Sequence, residues 1–119
     1  LRLLDEVINN LTPNKKKMLK LAKSGYMTAT DLADYLVKNH EMTFRDAYQK
    51  TAAIVNYAEK KKKNLEDLDI IELKKIEPRL TDAVLKVFNL KNSINSKKSY
   101  GGTSFDNIKK MILKYKKQL

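Results

Sequence analysis

The feature that most constrains the fold is a helix-start signal that occurs twice in this chain. In the first copy, Thr28 and Asp31 form a Thr-x-x-Asp pattern, in which the hydroxyl caps one backbone N–H and the carboxylate reaches back to another. Met27 and Leu32 occupy the positions of a hydrophobic staple, which sets the angle at which the chain enters a helix. The apolar residues that follow are Leu32, Ala33, Leu36 and Val37. The pattern predicts a buried helix over residues 29–39.

Met42, Thr43 and Asp46 repeat this signal and precede the longest helical repeat of the chain. The residues predicted to share one helix face are Phe44, Ala47, Tyr48, Thr51, Val55 and Ala58. The run Lys60–Lys63 follows, and it is either an electrostatic patch or a helix end, where cations face the negative end of the helix dipole. We favour the helix end, so the sequence predicts a helix over residues 44–62.

Other start and stop residues divide the rest of the chain into short helices. Gly25 suits a position just past a helix end, and Pro78 prevents a helix from continuing through Glu77. The predicted N-cap residues are Thr12, Asp69, Thr81 and either Thr103 or Ser104. The further predicted helices cover residues 1–11, 13–23, 69–76, 82–88 and 105–118. No segment shows a convincing strand-type alternation, so the predicted fold class is all-α, a small multi-helix orthogonal domain.

The same periodicity assigns side chains of these helices to the interior. They are Met18, Leu19, Leu21 and Ala22, then Val84, Leu85 and Phe88, then Phe105, Ile108, Ile112 and Tyr115. Residues 89–100 are rich in Asn, Ser and Lys, and we expect a surface loop that Ile94 pins to the protein. Gly101 and Gly102 are predicted to form a turn with positive φ, because the strand and the Gly-Lys-Ser/Thr sequence of a phosphate-binding loop are missing.

The chain is strongly basic, with 25 basic and 14 acidic residues and a formal net charge of +11. Such a charge raises nucleic acid or an acidic membrane surface as a partner. Only three of the basic residues are arginines, the side chain best suited to bidentate phosphate contacts, and the lysines are spread along the chain. We therefore expect a solvated basic surface, with nucleic acid an unlikely partner and no membrane span. The lack of cysteine excludes disulfides and is compatible with a reducing cytoplasm.

The chain contains one histidine and no cysteine. His40 is the single histidine and falls between two predicted helices, where we expect a solvated surface residue without a role. The lack of cysteine also excludes a thiolate metal site. The first residue is Leu1 within an apolar repeat, which is typical of a piece of a longer protein.

Three segments of the chain resemble a known enzyme family. They are Thr-Ala-Thr-Asp-Leu-Ala-Asp-Tyr-Leu-Val from Thr28, Thr-Phe-Arg-Asp-Ala from Thr43, and Ser-Tyr-Gly-Gly-Thr from Ser99. In this order and spacing they are similar to the C-terminal region of argininosuccinate lyase, a member of the fumarase/aspartase superfamily, over residues 1–115. The resemblance implies that residues 1–25 end the central helical region and that residues 26–119 form the C-terminal helical domain. Tyr48 departs from the His common in the family, and a Gly expected near Ala52 is missing.

The resemblance also implies what the whole enzyme does. This family cleaves argininosuccinate to arginine and fumarate by β-elimination, in a cytoplasmic homotetramer whose sites form between subunits. Its catalytic Ser lies in a loop reading Gly-Ser-Ser-x-Met-Pro-x-Lys-x-Asn-Pro, and the sequence contains neither the Ser pair nor Met-Pro. We therefore expect no catalytic, cofactor-binding or metal-binding residue and no cofactor in this chain. The resemblance implies a structural domain without catalytic activity, whose partners are the remainder of the lyase chain and its tetramer.

Two other classes of function remain open at this stage. The predicted helices 29–39 and 44–62, joined by a short turn, superficially resemble the helix-turn-helix of nucleic-acid-binding proteins. The apolar stripe over residues 1–11 instead favours a protein-interaction module, since an end helix cut from a bundle leaves a face without its partner.

Overall fold

The computed structural model describes residues 2–118 and contains seven α-helices. These are α1 (Arg2–Asn9), α2 (Lys15–Lys23), α3 (Ala29–His40), α4 (Phe44–Lys61), α5 (Ile70–Lys74), α6 (Leu90–Ser96) and α7 (Phe105–Lys116). Two 3₁₀ turns lie at Leu65–Asp67 and Asp82–Lys86. No strand occurs within residues 2–118, and the predicted all-α class is confirmed.

The hydrophobic core is built around α3 and α4, the two helices that pack most closely against each other. Its buried residues are Leu32, Leu36, Met42, Ala47, Ile54, Ala58, Leu65, Leu68, Leu73, Leu80, Val84 and Phe88. Burying a Leu or Ile side chain completely contributes about 1.5–3 kcal/mol, so the α3–α4 pair and the segments crossing it hold the fold together. Leu32 and Leu36 are completely buried, as predicted for the apolar stripe of α3.

The two helix-start signals behave differently in the structure. The Thr43 side chain accepts a hydrogen bond from the Asp46 backbone N–H at 3.1 Å and donates one to the Asp46 carboxylate at 2.7 Å. Thr28 occupies the N-cap position of α3, but its side chain makes no capping hydrogen bond. Met27 is 63% exposed. The predicted capping box and staple of α3 are therefore wrong. For α4, the predicted cap by the Thr43 side chain is confirmed.

The helices at the two ends lie outside this core. The described side chains of α1 are exposed, and α2 and α7 contain no buried residue. The interior positions predicted for them are wrong: the exposed ones are Met18, Leu19, Leu21, Phe105, Ile108, Ile112 and Tyr115. The radius of gyration is 18.3 Å, against about 14 Å for a compact chain of this length. A large apolar surface therefore faces outward at both ends.

The polar segment after Asn89 forms α6 and not the predicted loop. The Asn89 side chain accepts hydrogen bonds from the backbone N–H groups of Lys91 at 3.0 Å and Asn92 at 3.3 Å, which caps the helix. Ile94, the expected pin, is exposed, whereas Ser93 is partly buried against α3. Composition misled the prediction because a helix with one good cap and one anchored face tolerates polar residues elsewhere.

Several local predictions also need correction. Asn14, not Thr12, caps α2 through its side chain. The helix predicted over residues 82–88 is replaced by the 3₁₀ turn Asp82–Lys86, which leaves Leu85 partly exposed. Phe44 and Tyr48 face solvent, because the buried stripe of α4 follows Ala47, Thr51, Ile54 and Ala58. In the part of the chain that the structure describes, no helix is long and apolar enough to cross a membrane.

Candidate functional site

Asp31 forms the polar contact between α3 and α6. It lies in the first turn of α3, where its two carboxylate oxygens accept hydrogen bonds from the Ser93 hydroxyl and the Lys97 ammonium group. Its side chain is largely buried. The hydrogen bond that Lys97 donates to Asp31, more than the negative charge of Asp31, raises the pKa of Lys97. Asp31 therefore holds α6 against the start of α3 with two charge-assisted bonds.

A groove of about 610 Å³ runs beside this contact, a volume within the range of small-molecule pockets. Polar residues on its walls include Asp34, Tyr35, Lys38, Lys86 and Ser93. A serine nucleophile needs a base that takes its proton. The Ser93 hydroxyl instead donates to a carboxylate already paired with Lys97, and no imidazole lines the groove as described. The arrangement positions α6 and offers no activated nucleophile.

His40 ends α3 and is partly buried, so the prediction of a solvated surface residue is wrong. Its ring packs against Tyr35 in an edge-to-face arrangement, with the ring centroids 5.6 Å apart. Its Nε2 atom is buried and finds no hydrogen-bond partner among residues 2–118. Glu41 follows with φ 52°, which turns the chain toward α4. The local role of His40 is therefore packing at the α3–α4 corner.

Glu77 is the charged residue buried deepest in the described structure, at 4% exposure. Its Oε1 atom accepts a hydrogen bond from Nε of Arg79 at 2.8 Å, and Nζ of Lys50 lies 3.5 Å from Oε2. The hydrogen bond from Arg79 is the main cause that lowers the pKa of Glu77. Lys50 also donates to the carbonyl of Ile76 at 3.0 Å. These contacts fasten the segment after α5 onto α4.

The lysine run at the end of α4 contributes a further ion pair, between Lys63 and Glu72. Helix α4 ends at Lys61, and Lys62 has φ 53°, as is common at a helix C-cap. Nζ of Lys63 then lies 3.0 Å from Oε2 of Glu72. The Tyr57 hydroxyl donates a hydrogen bond to the other carboxylate oxygen, Oε1, at 3.3 Å. The Lys63 hydrogen bond lowers the pKa of Glu72. The predicted helix end is confirmed, and the run is partly neutralised.

The Gly101–Gly102 turn joins α6 to α7. Gly101 has φ 77°, which confirms the predicted positive φ. A Cβ atom on Gly102 would lie 2.2 Å from the carbonyl oxygen of Lys97, so this position must approach the backbone closely. Ser104 caps α7 by accepting a hydrogen bond from the Asn107 N–H at 3.4 Å. The pair of glycines therefore serves a compact turn.

The clusters around Asp31, Glu72 and Glu77 are networks of mutually satisfied groups. Within residues 2–118 no group of three or more metal-binding side chains comes together. The absence of catalytic, cofactor-binding and metal-binding residues stays a prediction. Sequence reasoning missed the Asp31–Ser93–Lys97 and Lys50–Glu77–Arg79 clusters, because the first joins residues 62 and 66 positions apart and carries no local signal.

Comparison with known proteins gives one consistent family. A family model described as argininosuccinate lyase C-terminal matches residues 26–95. An argininosuccinate lyase of Pelagibacter ubique is 77% identical over 115 residues, which are 97% of this chain and 25% of the relative. The argininosuccinate lyase of Ehrlichia ruminantium is 43% identical over 109 residues, which are 92% of this chain and 23% of the relative. Argininosuccinate lyase 1 of Mesorhizobium japonicum is 40% identical over 113 residues, which are 95% of this chain and 24% of the relative.

The chain thus spans about a quarter of the length of the curated relatives it matches. Nothing in these comparisons supports the nucleic-acid-binding alternative. Four lysines of the described chain are engaged in ion pairs, with Glu66, Glu77, Glu72 and Asp31. The family model and these three relatives all give argininosuccinate lyase. The chain therefore belongs to the argininosuccinate lyase family, within its C-terminal region.

Proposed function

We propose that this chain is the C-terminal domain of an argininosuccinate lyase. The whole enzyme is a carbon–nitrogen lyase that cleaves argininosuccinate to arginine and fumarate in arginine biosynthesis. The observation that carries the proposal is the 77% identity to a lyase over nearly the whole chain, of which the chain spans only a quarter. The domain by itself binds no substrate and contributes packing.

The polar clusters support a structural role. β-Elimination requires a base that removes a proton next to a carboxylate and an acid that assists the leaving nitrogen. The described carboxylates with the strongest contacts, on Asp31, Glu72 and Glu77, are each bound by a cation of the same domain. A carboxylate held in this way stabilises the fold and is a poor base for an external substrate.

We propose a division into residues 1–25, which end the central helical region of the lyase, and residues 26–119, which form the C-terminal domain. Two observations support it: the buried residues of the described chain lie between Thr28 and Ser104, and the family model begins at residue 26. The exposed apolar side chains of α1 and α2 suit helices that continue into a larger bundle. Its partners are the rest of the lyase chain and a homotetramer in the cytoplasm.

Fumarate release tests this function. Fumarate formed from argininosuccinate is followed by its ultraviolet absorbance, with the full-length protein and the 119-residue chain at equal concentrations. We expect activity from the full-length protein alone. A full-length protein that forms no fumarate would overturn the lyase assignment. Fumarate formation by the 119-residue chain would overturn the proposal that the domain is inactive.

A further inference from the structure

Helix α7 carries an apolar face that nothing in the described chain covers. With 100° between successive residues, five apolar side chains fall within about one third of the helix circumference. They are Phe105, Ile108, Met111, Ile112 and Tyr115, and all of them are substantially exposed. An amphipathic helix of 12 residues gains little stability from propensity alone and depends on packing of its apolar face. The face therefore indicates a docking surface.

The start of α7 is fastened to the domain, which fixes where this face points. The Ser104 N–H donates to the Lys97 carbonyl at 3.2 Å, and the Asn107 side chain donates to the Ser99 carbonyl at 2.8 Å. The Phe105 N–H donates to the Asn95 side chain at 3.4 Å. A helix held at one end by directed hydrogen bonds is already oriented and loses less conformational freedom when a partner covers it.

We propose that this face of α7 docks on the part of the lyase polypeptide that lies upstream of residue 1. This inference rests on the proposed function. About three quarters of the length of the relatives lies outside the region that this chain matches, which is ample to cover the face. Aromatic residues and Met are enriched at the cores of protein interfaces, and the face presents Phe105, Met111 and Tyr115.

The charges around the face define the chemistry of the docking partner. Lys109 follows Phe105 by four residues and Lys116 follows Ile112 by four, so both lysines lie along one edge of the apolar face. The far side of the helix carries Lys110, Lys114 and Lys117. The upstream surface is therefore an apolar groove with carboxylates along the rim that meets Lys109 and Lys116.

Two neighbouring substitutions in the full-length lyase test the proposal. Ile112→Lys places a charge within the apolar face, whereas Leu113→Lys makes the same change one position away, on the lysine-bearing side. Hydrogen exchange of the amides of residues 105–116 is the readout, with the amides of α3 and α4 as an internal reference. We expect Ile112→Lys to speed hydrogen exchange in α7 at least about tenfold, because even a modest loss of docking energy shifts the opening equilibrium of the helix by that factor. We expect Leu113→Lys to change the exchange rate far less. If Ile112→Lys disturbs α3 and α4 as well, Ile112→Ala is compared with Leu113→Ala, with a smaller change expected in the same direction.

A photo-crosslinking amino acid at position 105 of the full-length lyase identifies what covers the face. Crosslinks to peptides upstream of residue 1 support the proposal. Three outcomes would each overturn the proposal. The first is crosslinks confined to residues 1–119 of another copy. The others are α7 amides that exchange freely in the unmodified enzyme, and protection of these amides that requires anionic lipid vesicles. Fumarate formation is measured on the same preparations, so an active lyase with an uncovered α7 overturns this inference and leaves the proposed function standing.

Discussion

The Asp31 carboxylate of α3 accepts a hydrogen bond from the Ser93 hydroxyl of α6, which lies 62 residues further along the chain. The sequence places Asp31 in a capping pattern with Thr28, yet the structure uses it to hold a distant helix. Lys97 binds the second carboxylate oxygen, so both oxygens are occupied by groups from the α6 region. This contact replaces the local cap because two charge-assisted bonds outweigh one bond to a backbone N–H.

Removal of the Asp31 carboxylate is expected to release α6. Asp31→Ala leaves the Ser93 hydroxyl and the Lys97 ammonium group without their acceptor and lowers the free energy of unfolding by about 1–3 kcal/mol. Urea denaturation of the 119-residue chain measures the change, and hydrogen exchange over residues 90–96 locates it. Asp34→Ala, an exposed carboxylate in the same helix, is the control, and an equal loss in both variants would contradict the assignment.

Leu36 tests the position of the core. Its side chain is completely buried between α3 and the rest of the core, so Leu36→Ala removes buried methyl groups and leaves a cavity. We expect a loss of about 2–5 kcal/mol in the free energy of unfolding. Leu3→Ala, at a side chain 79% exposed, should change it by less than about 0.5 kcal/mol. A loss below about 0.5 kcal/mol for Leu36→Ala would mean that the residue does not lie in the core.

Glu77 makes the fold sensitive to acid. Its pKa in the folded protein is lowered below the ordinary 4.5, chiefly by the hydrogen bond from Arg79. The unfolded chain therefore binds the proton more readily, and the stabilisation is present above the ordinary pKa and lost as the pH falls through the folded pKa. The difference in free energy of unfolding between the wild type and Glu77→Gln should be largest near pH 7 and shrink below pH 4.5.

Glu59→Gln provides the matched control for this pH series, because Glu59 is an exposed residue of α4. The same amide replaces a carboxylate there without removing an ion pair seen in the described structure. We expect this variant to follow the wild type across the whole pH range. A Glu77→Gln difference that stayed constant from pH 7 to well below 4.5 would show that the charge of Glu77 does not stabilise the fold.

The glycine turn before α7 is expected to tolerate a side chain at neither position, for two different reasons. Gly101→Ala strains a backbone with φ 77°, at a cost of about 1–2 kcal/mol. Gly102→Ala brings a Cβ atom to 2.2 Å from the Lys97 carbonyl oxygen, which forces the backbone apart. We expect Gly102→Ala to be the more destabilising and to speed hydrogen exchange at the start of α7. Similar exchange in both variants and the wild type would contradict the turn geometry.

Local signals in the sequence were reliable where the groups concerned are neighbours along the chain. The pair Thr43 and Asp46 caps α4 as predicted, and Gly101 adopts positive φ. Helix α4 has the predicted start and ends within one residue of the prediction. The three segments that resemble argininosuccinate lyase led to the family that the comparisons confirm. Each of these features depends on short-range hydrogen bonds or on a motif that can be read directly.

Periodicity predicted which helices are amphipathic and not which of their faces find a partner. The apolar stripes of α3 and α7 both follow the helical period, yet Leu36 is buried and Ile112 is half exposed. Burial requires a second element on the other side. Residues far away in sequence supply it for α3, and no element among residues 2–118 covers the face of α7. The helix after Asn89 was missed for a related reason, since Asp31 supplies much of its anchoring.

The sequence by itself determined the all-α class, most helix positions and the caps of α4 and α7, because these follow from short-range hydrogen bonds and from the 3.6-residue period. The family followed from motifs that can be read directly. Only the tertiary structure decided that Asp31 binds Ser93 and Lys97, that Glu77 is buried between Lys50 and Arg79, and that no element among residues 2–118 covers the face of α7. Contacts between residues far apart in the chain depend on how the helices meet in space, and one-dimensional periodicity carries no information about that meeting.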